Sequence, residues 1–233
     1  MAGNEFTFKQ FKVRQERCAM KVGTDGVLLG AWAEGGKRIL DVGTGTGLIA
    51  LMMAQRYSKA CIVALDVDHE ACMQACENAD ASPYGERIEV VETAVQQFAP
   101  PVKFDCIVTN PPYFERSLRN PDSRRALARH SDALPFGDLF ASARRLLAPG
   151  GVLSAVIPVE AESSFTAEAS LCGFSLTRRL AIRTTPRKAP RRLLVAFVQG
   201  AATACERSEA ILQNADGSRS EWYAELTKEF YIR

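Results

Sequence analysis

The chain has 233 residues, 47% hydrophobic and 24% charged, enough apolar content for one sizeable globular domain spanning residues 1–233. A formal net charge of +2 argues against a general polyanion binder. No apolar stretch approaches the ~20 residues of a membrane span, and Met1–Arg17 mixes charges with aromatics, unlike a signal peptide.

An N-terminal extension to about residue 33 is expected to cap a catalytic core over residues 34–233. Within it Phe6, Phe8 and Phe11 alternate as in a short strand, with packing as their expected use, and Val27–Ala33 reads as a helix. A strand over Arg38–Val42, preceded by Lys37, then leads into Gly43-Thr44-Gly45-Thr46-Gly47, and helical apolar spacing follows over Leu48–Arg56. Strand, glycine turn and helix form the first unit of a nucleotide-binding α/β sheet. A dinucleotide fingerprint wants its third glycine at the sixth place, where this chain has Leu48. Asp41, two positions before the first glycine, would repel a pyrophosphate but suits a ligand with a free ammonium group. No GxxxxGK[ST] occurs, which excludes a P-loop.

The strand Cys61–Leu65 ends in Asp66, about twenty residues past the glycines, where an acid can take both ribose hydroxyls. Asp68 competes for that role, and Asp66 is favoured because it follows the apolar run directly. These features describe a nucleoside that carries an amino acid, which is S-adenosylmethionine. Asp41, Gly43, Gly45, Gly47 and Asp66 are its candidate contacts.

A helix is expected over His69–Ala81, where Cys72 and Cys76 lie one turn apart beside His69. Most of the seven cysteines stand in apolar runs, Cys61, Cys106 and Cys172 among them, and read as free buried thiols of a reducing cytoplasm, with no metal site. Strands follow over Ile88–Glu92 and Phe104–Thr109. The second delivers Asn110-Pro111-Pro112-Tyr113. The Asn110 side-chain oxygen and the Pro111 carbonyl can each accept one N–H of a planar NH₂ group. The Asn-Pro-Pro backbone is stiff before any ligand arrives, and Tyr113 offers a ring for stacking.

A basic run follows, with Arg116, Arg119, Arg124, Arg125 and Arg129. Helices over Phe136–Leu147 and Ala161–Leu171 flank a strand at Val152–Ile157, which opens after Pro149-Gly150-Gly151, read as a stop and turn. Ser175–Arg183 and Arg191–Gln199 are placed to pair as a hairpin. Seven basic residues and no acid lie between Leu171 and Ala204: Arg178, Arg179, Arg183, Arg187, Lys188, Arg191 and Arg192. Both basic runs flank the expected site, where an RNA substrate needs its phosphates neutralised. The tail Ser220–Tyr231 reads as an amphipathic helix whose Trp222, Tyr223, Leu226 and Phe230 face the core.

With these residues in view, the chain resembles class I S-adenosylmethionine-dependent methyltransferases, and Asn-Pro-Pro-Tyr looks like the signature of those that methylate exocyclic or amide nitrogens. Phe6–Phe11, Arg17–Trp32, Asn110–Phe114, Ala128-Arg129 and Phe230-Tyr231 look like the bacterial tRNA(Val) (adenine-N6)-methyltransferases. The resemblance implies a doubly wound, seven-stranded, mostly parallel α/β sheet with an antiparallel edge strand. It further implies action on the tRNA adenosine next to the anticodon on its 3′ side; a cytoplasmic monomer or weak homodimer is expected. Asn110, Pro111, Pro112 and Tyr113 become the expected catalytic residues, Asn110 also bordering the cofactor, and Thr24 a hydrogen-bond donor to the cofactor carboxylate. Phe114, Arg116, Arg124, Arg125, Arg129, Arg187, Lys188 and Arg191 become the expected RNA contacts. Such enzymes often carry an acid after the third strand for the cofactor adenine, whereas this chain has Ala94 there. Either backbone groups hold the adenine or Glu92 substitutes.

Rival readings share parts of this pattern. A glutamine amide of a protein presents the same two donors but needs no basic runs. Guanine N2 or DNA adenine are further targets, though a DNA enzyme usually needs a recognition domain for which 233 residues leave little space. A non-catalytic S-adenosylmethionine- or RNA-binding protein would not need an intact Asn-Pro-Pro-Tyr. Leu48 and Asp41 disfavour a nicotinamide-dependent dehydrogenase.

Overall fold

The computed structural model describes residues 4–18, 20–111 and 134–232. A two-stranded antiparallel ribbon, β1 (Glu5–Thr7) and β2 (Lys12–Arg14), opens the chain, followed by helix α1 (Thr24–Trp32). The α/β core then runs β3 (Arg38–Val42), α2 (Leu48–Arg56), β4 (Cys61–Asp66), α3 (His69–Asp80), β5 (Ile88–Glu92) and β6 (Phe104–Thr109). It continues through α4 (Phe136–Leu146), β7 (Leu147–Pro158), α5 (Glu162–Leu171), β8 (Phe174–Arg183), β9 (Arg192–Gln199), β10 (Glu206–Ile211) and α6 (Glu221–Thr227).

The doubly wound, mostly parallel α/β sheet expected from the alternation is present, with two corrections. Among the described residues it has eight strands, ordered β10-β8-β9-β7-β6-β3-β4-β5. Its antiparallel strand, β9, lies inside the sheet between β7 and β8, and the edge beyond is β10, parallel to β8. The central strands are near-continuous apolar runs because helices cover both of their faces. Ile39, Ile62, Cys106 and Val108 point into a cluster with α1, α2, α6 and Phe8. Leu40, Leu65, Ile107 and Leu153 point into the opposite cluster with α4 and α5. In that second cluster the Phe140 ring lies 4.9 Å from Phe165 and 5.4 Å from Phe197.

The chain leaves β3 for β4 on one side and returns with β6 on the other, so the order reverses at β3. A crevice opens at such a switch point, outside the carboxyl ends of the two diverging strands. Here those ends are Val42 and Thr109, paired in register, with the Thr109 hydroxyl donating to the Val42 carbonyl at 2.9 Å.

Local chemistry explains the other departures. Helix α1 begins at Thr24 because Gly23 supplies an extended cap, and the last described helix stops at Thr227. Phe230 is nevertheless buried, and Tyr231 stacks on Phe8 at 5.9 Å, so the aromatic tail packs as expected. Only Cys18, Cys72 and Cys106 are buried. Cys61 is exposed, since it opens β4 at the amino edge of the sheet.

Candidate functional site

The glycine turn joins β3 to α2 with three left-handed residues, Gly43, Gly45 and Gly47, at φ +73°, +55° and +78°. A Cβ built at Gly43 or Gly45 would meet none of the described residues within 4 Å. These glycines are therefore required by backbone conformation, and the space above them is open to a ligand. The amides of Gly43 and Thr44 both donate to the Leu65 carbonyl at 2.9 Å, which fastens the turn to β4.

Asp41 lies beneath the turn and is fully buried. Its Oδ2 accepts from the Thr44 hydroxyl at 2.7 Å and from the Ala50 amide at 3.2 Å, clamping the turn to the first residues of α2. Its Oδ1 is buried without a partner among the described residues. Burial pushes this carboxyl up to about 7, against the two hydrogen bonds that favour the anion; the charge of Asp66 adds to the rise. Asp41 thus braces the loop, with one acceptor oxygen to spare.

At the end of β4, Asp66 Oδ2 accepts from the Gly45 amide at 2.8 Å and Oδ1 from the Asp68 amide at 3.1 Å. Each oxygen keeps a lone pair for a hydroxyl. Asp68 is engaged as the N-cap of α3, accepting from the Glu70 and Ala71 amides, which favours Asp66 as the candidate ribose acid. Between them Val67 is 59% exposed at the lip of the crevice, an apolar surface suited to the face of a base. At the end of β5, Glu92 is turned to His69, with its carboxylate 2.7 Å from Nδ1, and past it Ala94 is half-buried with its carbonyl accepting from Gln97 and Phe98.

Asn110 follows β6 directly and is half-buried beside the start of the glycine turn; Pro111 is buried. Adjacent strands run about 4.8 Å apart, so a group gripped at Asn110 adjoins a ligand on the turn. Pro112, Tyr113, Phe114, Arg116, Arg119, Arg124, Arg125 and Arg129 lie outside the described residues. Thr24 is half-buried in the first turn of α1, which the ion pair between Asp25 and Arg192 fixes to the start of β9. Arg187, Lys188 and Arg191 are exposed on the turn between β8 and β9.

Sequence reading missed Val67, Thr44 and Asn78. Asn78 is 2% exposed, accepts from the Arg14 amide at 2.9 Å, and donates to the Arg14 and Thr46 carbonyls, both at 2.8 Å. It ties the N-terminal ribbon to the glycine turn. The signal was weak: Asn78 shares its buried helix face with Ala71, Cys72, Ala75 and Ala79 but also with a second polar residue, Gln74.

An open glycine turn over a buried acid, a ribose-spaced acid on the next strand and an Asn-Pro step at the switch point define a Rossmann-like methyltransferase. A family model for the methyltransferase small domain matches residues 22–172. A tRNA1(Val) (adenine(37)-N6)-methyltransferase of Phocaeicola vulgatus is 48% identical over 229 residues, 97% of each chain. One of Tolumonas auensis is 44% identical, covering 100% of this chain and 99% of its own. A solved structure of a predicted O-methyltransferase from Agrobacterium tumefaciens superposes with TM-score 0.72 at 22% identity, over 88% of this chain and 96% of its own, a likeness of fold. The chain belongs to the methyltransferase small domain family and, within it, to the tRNA1(Val) (adenine(37)-N6)-methyltransferases.

Proposed function

We propose that this protein transfers a methyl group from S-adenosylmethionine to the exocyclic N6 of an adenosine in tRNA, the one 3′ of the anticodon in a valine tRNA. The observation that carries the reading is the emergence of Asn110-Pro111 from β6 immediately beside the glycine turn on β3. The full-length relatives, by the activity they are named for, support the choice of tRNA adenine over a protein amide.

The crevice fits the cofactor. Gly43 and Gly45 leave room where a Cβ would project, Asp41 Oδ1 is an acceptor awaiting an ammonium, and Asp66 retains lone pairs for ribose hydroxyls. Thr24 is assigned the cofactor carboxylate and Val67 one face of the adenine. With Ala94 lacking a carboxylate and Glu92 turned to His69, backbone groups hold the adenine edge. When bound, the cofactor supplies a methyl group activated by sulfonium.

The chain's own part in the reaction is placement. N6 of adenine is a poor nucleophile because its lone pair is delocalised into the ring. Asn110 and the Pro111 carbonyl accept its two N–H bonds and favour the pyramidal form whose lone pair leaves the ring plane. Base stacking, typically worth ~1–3 kcal/mol, is the role assigned to Tyr113 with Phe114 beside it, both outside the described residues. Holding the partners in line contributes several kcal/mol. Asp41 is assigned to the cofactor ammonium and no other described side chain is assigned as base, so water takes the proton from the cationic product.

The test is transfer of radiolabelled methyl to total tRNA with nucleoside mass spectrometry. N6-methyladenosine in valine tRNA is expected. An Asn110→Ala enzyme should bind the cofactor normally and turn over roughly a hundredfold more slowly. Label found only in protein would overturn the reading.

A further inference from the structure

The fold sorts the seven basic residues between Leu171 and Ala204 into two sets. Arg178 meets Glu34 at 2.7 Å and Glu206 at 3.6 Å, Arg179 meets Glu162 at 2.5 Å, Arg183 meets Glu209 at 2.7 Å, and Arg192 closes on Asp25. The acids missing from this stretch are thus brought in from α1, α5, β10 and the segment before β3, and cancel those charges locally. Arg187, Lys188 and Arg191 are different. Their side chains are exposed and make no ion pair, hydrogen bond or ring contact with the described residues.

These three cations stand on a braced turn. The Lys188 amide donates to Thr185 and the Arg191 amide to Ile182, both at 3.1 Å, while Val159 donates to the Arg191 carbonyl at 3.3 Å. Pro186 and Pro190 stiffen it further. Because β9 is antiparallel to both neighbours, β8 ends at the same edge of the sheet as β6 and β7. The turn therefore overhangs the edge that carries Asn110 and the glycine turn. Glu160, exposed beside Val159, offsets one of the three charges, leaving a net positive excess. The turn carries no large apolar residue, which disfavours a membrane or a protein groove as its partner.

We propose that Arg187, Lys188 and Arg191 form a phosphate clamp for the tRNA strand that enters the active site, an inference that rests on the RNA-methylating reading above. Between β6 and this turn lie two to three strand spacings, about 12 Å. At about 3.4 Å per stacked nucleotide, the clamped phosphates fall three or four nucleotides from the target adenosine, within the anticodon arm.

The experiment compares a triple variant, R187Q/K188Q/R191Q, with a charge-matched control, K37Q/K59Q/K103Q. The control lysines are exposed at the opposite, amino edge, where they precede β3, β4 and β6. Binding of tRNA and its KM are measured across a salt series, with cofactor affinity and thermal unfolding alongside. Each phosphate contact adds about 0.7–0.9 to the slope of log K against log salt, so the clamp variant should lose roughly 2–3 from it. Its tRNA KM should rise tenfold to a hundredfold near 0.1 M salt, with kcat at saturating tRNA and cofactor affinity within about twofold. The control should leave the slope unchanged. An unchanged slope in the clamp variant, or equal losses in both variants, overturns the clamp while methylation by the wild type stands. A wild type that methylates no tRNA sinks both readings.

Discussion

Asp41 allows a test in which stability and ligand binding move in opposite directions. Its carboxyl is pushed from 3.8 up to about 7, chiefly by burial, so the ionised form is disfavoured in the folded protein by roughly 4 kcal/mol. The folded state therefore binds more protons than the unfolded chain between these values, and stability falls as pH rises through that window. Asp41→Asn keeps an oxygen for the Thr44 hydroxyl and the Ala50 amide but buries an NH₂ where Oδ1 has no partner, a cost of about 1–3 kcal/mol. That cost does not depend on pH. Comparing the variant's stability change at pH 8 with that at pH 5 isolates the charge, and should give roughly 2–3 kcal/mol in the variant's favour at the higher pH. Denaturant unfolding without cofactor reads this directly. The same variant should bind the cofactor more weakly, and wild-type affinity should fall about tenfold per unit below pH 7. A variant whose stability change is equal at both pH values would refute the argument, because Asp41 would then titrate in the ordinary range.

Gly45→Ala should weaken cofactor binding at least tenfold by calorimetry and cost about 1–2 kcal/mol of stability, since φ there is +55° and the new Cβ enters the open crevice. Asn78→Ala strands the Arg14 amide and two carbonyls, so a loss of roughly 2 kcal/mol or more is expected. Because one of those carbonyls belongs to Thr46, the KM for cofactor should rise by more than kcat falls; an unchanged KM would assign Asn78 to the ribbon alone.

Where apolar runs met glycine or proline, element boundaries were readable from the chain. Arg38–Val42, Leu48–Arg56, Ile88–Glu92 and Phe104–Thr109 are as expected to the residue. Pro149-Gly150-Gly151 misled: Gly150 adopts φ +76° and the ladder shifts register between Phe104 and Cys106, so β7 continues through a bulge where a stop was expected. Strand β10 has no apolar alternation, because most of its residues are exposed and ion pairs from Glu206 and Glu209 hold it to β8. In the candidate site, the structure brings together the glycines and acids singled out by their spacing, while Pro112 and Tyr113 lie outside the described residues. The choice between Asp66 and Asp68 needed the cap geometry of α3, and Asn78 needed the fold, since its three partners come from segments far apart in the chain.

The switch point has a consequence for biosynthesis. A ribosome delivers β3, β4 and β5 before β6, so for some time one side of β3 is an apolar strand with no neighbour. Such a margin invites pairing with the wrong chain until Phe104–Thr109 arrives to occupy it. The strand that leads into Asn110 thus covers the open edge of β3 as it brings that residue to the crevice, and a nascent chain halted before it would be both inactive and prone to aggregate.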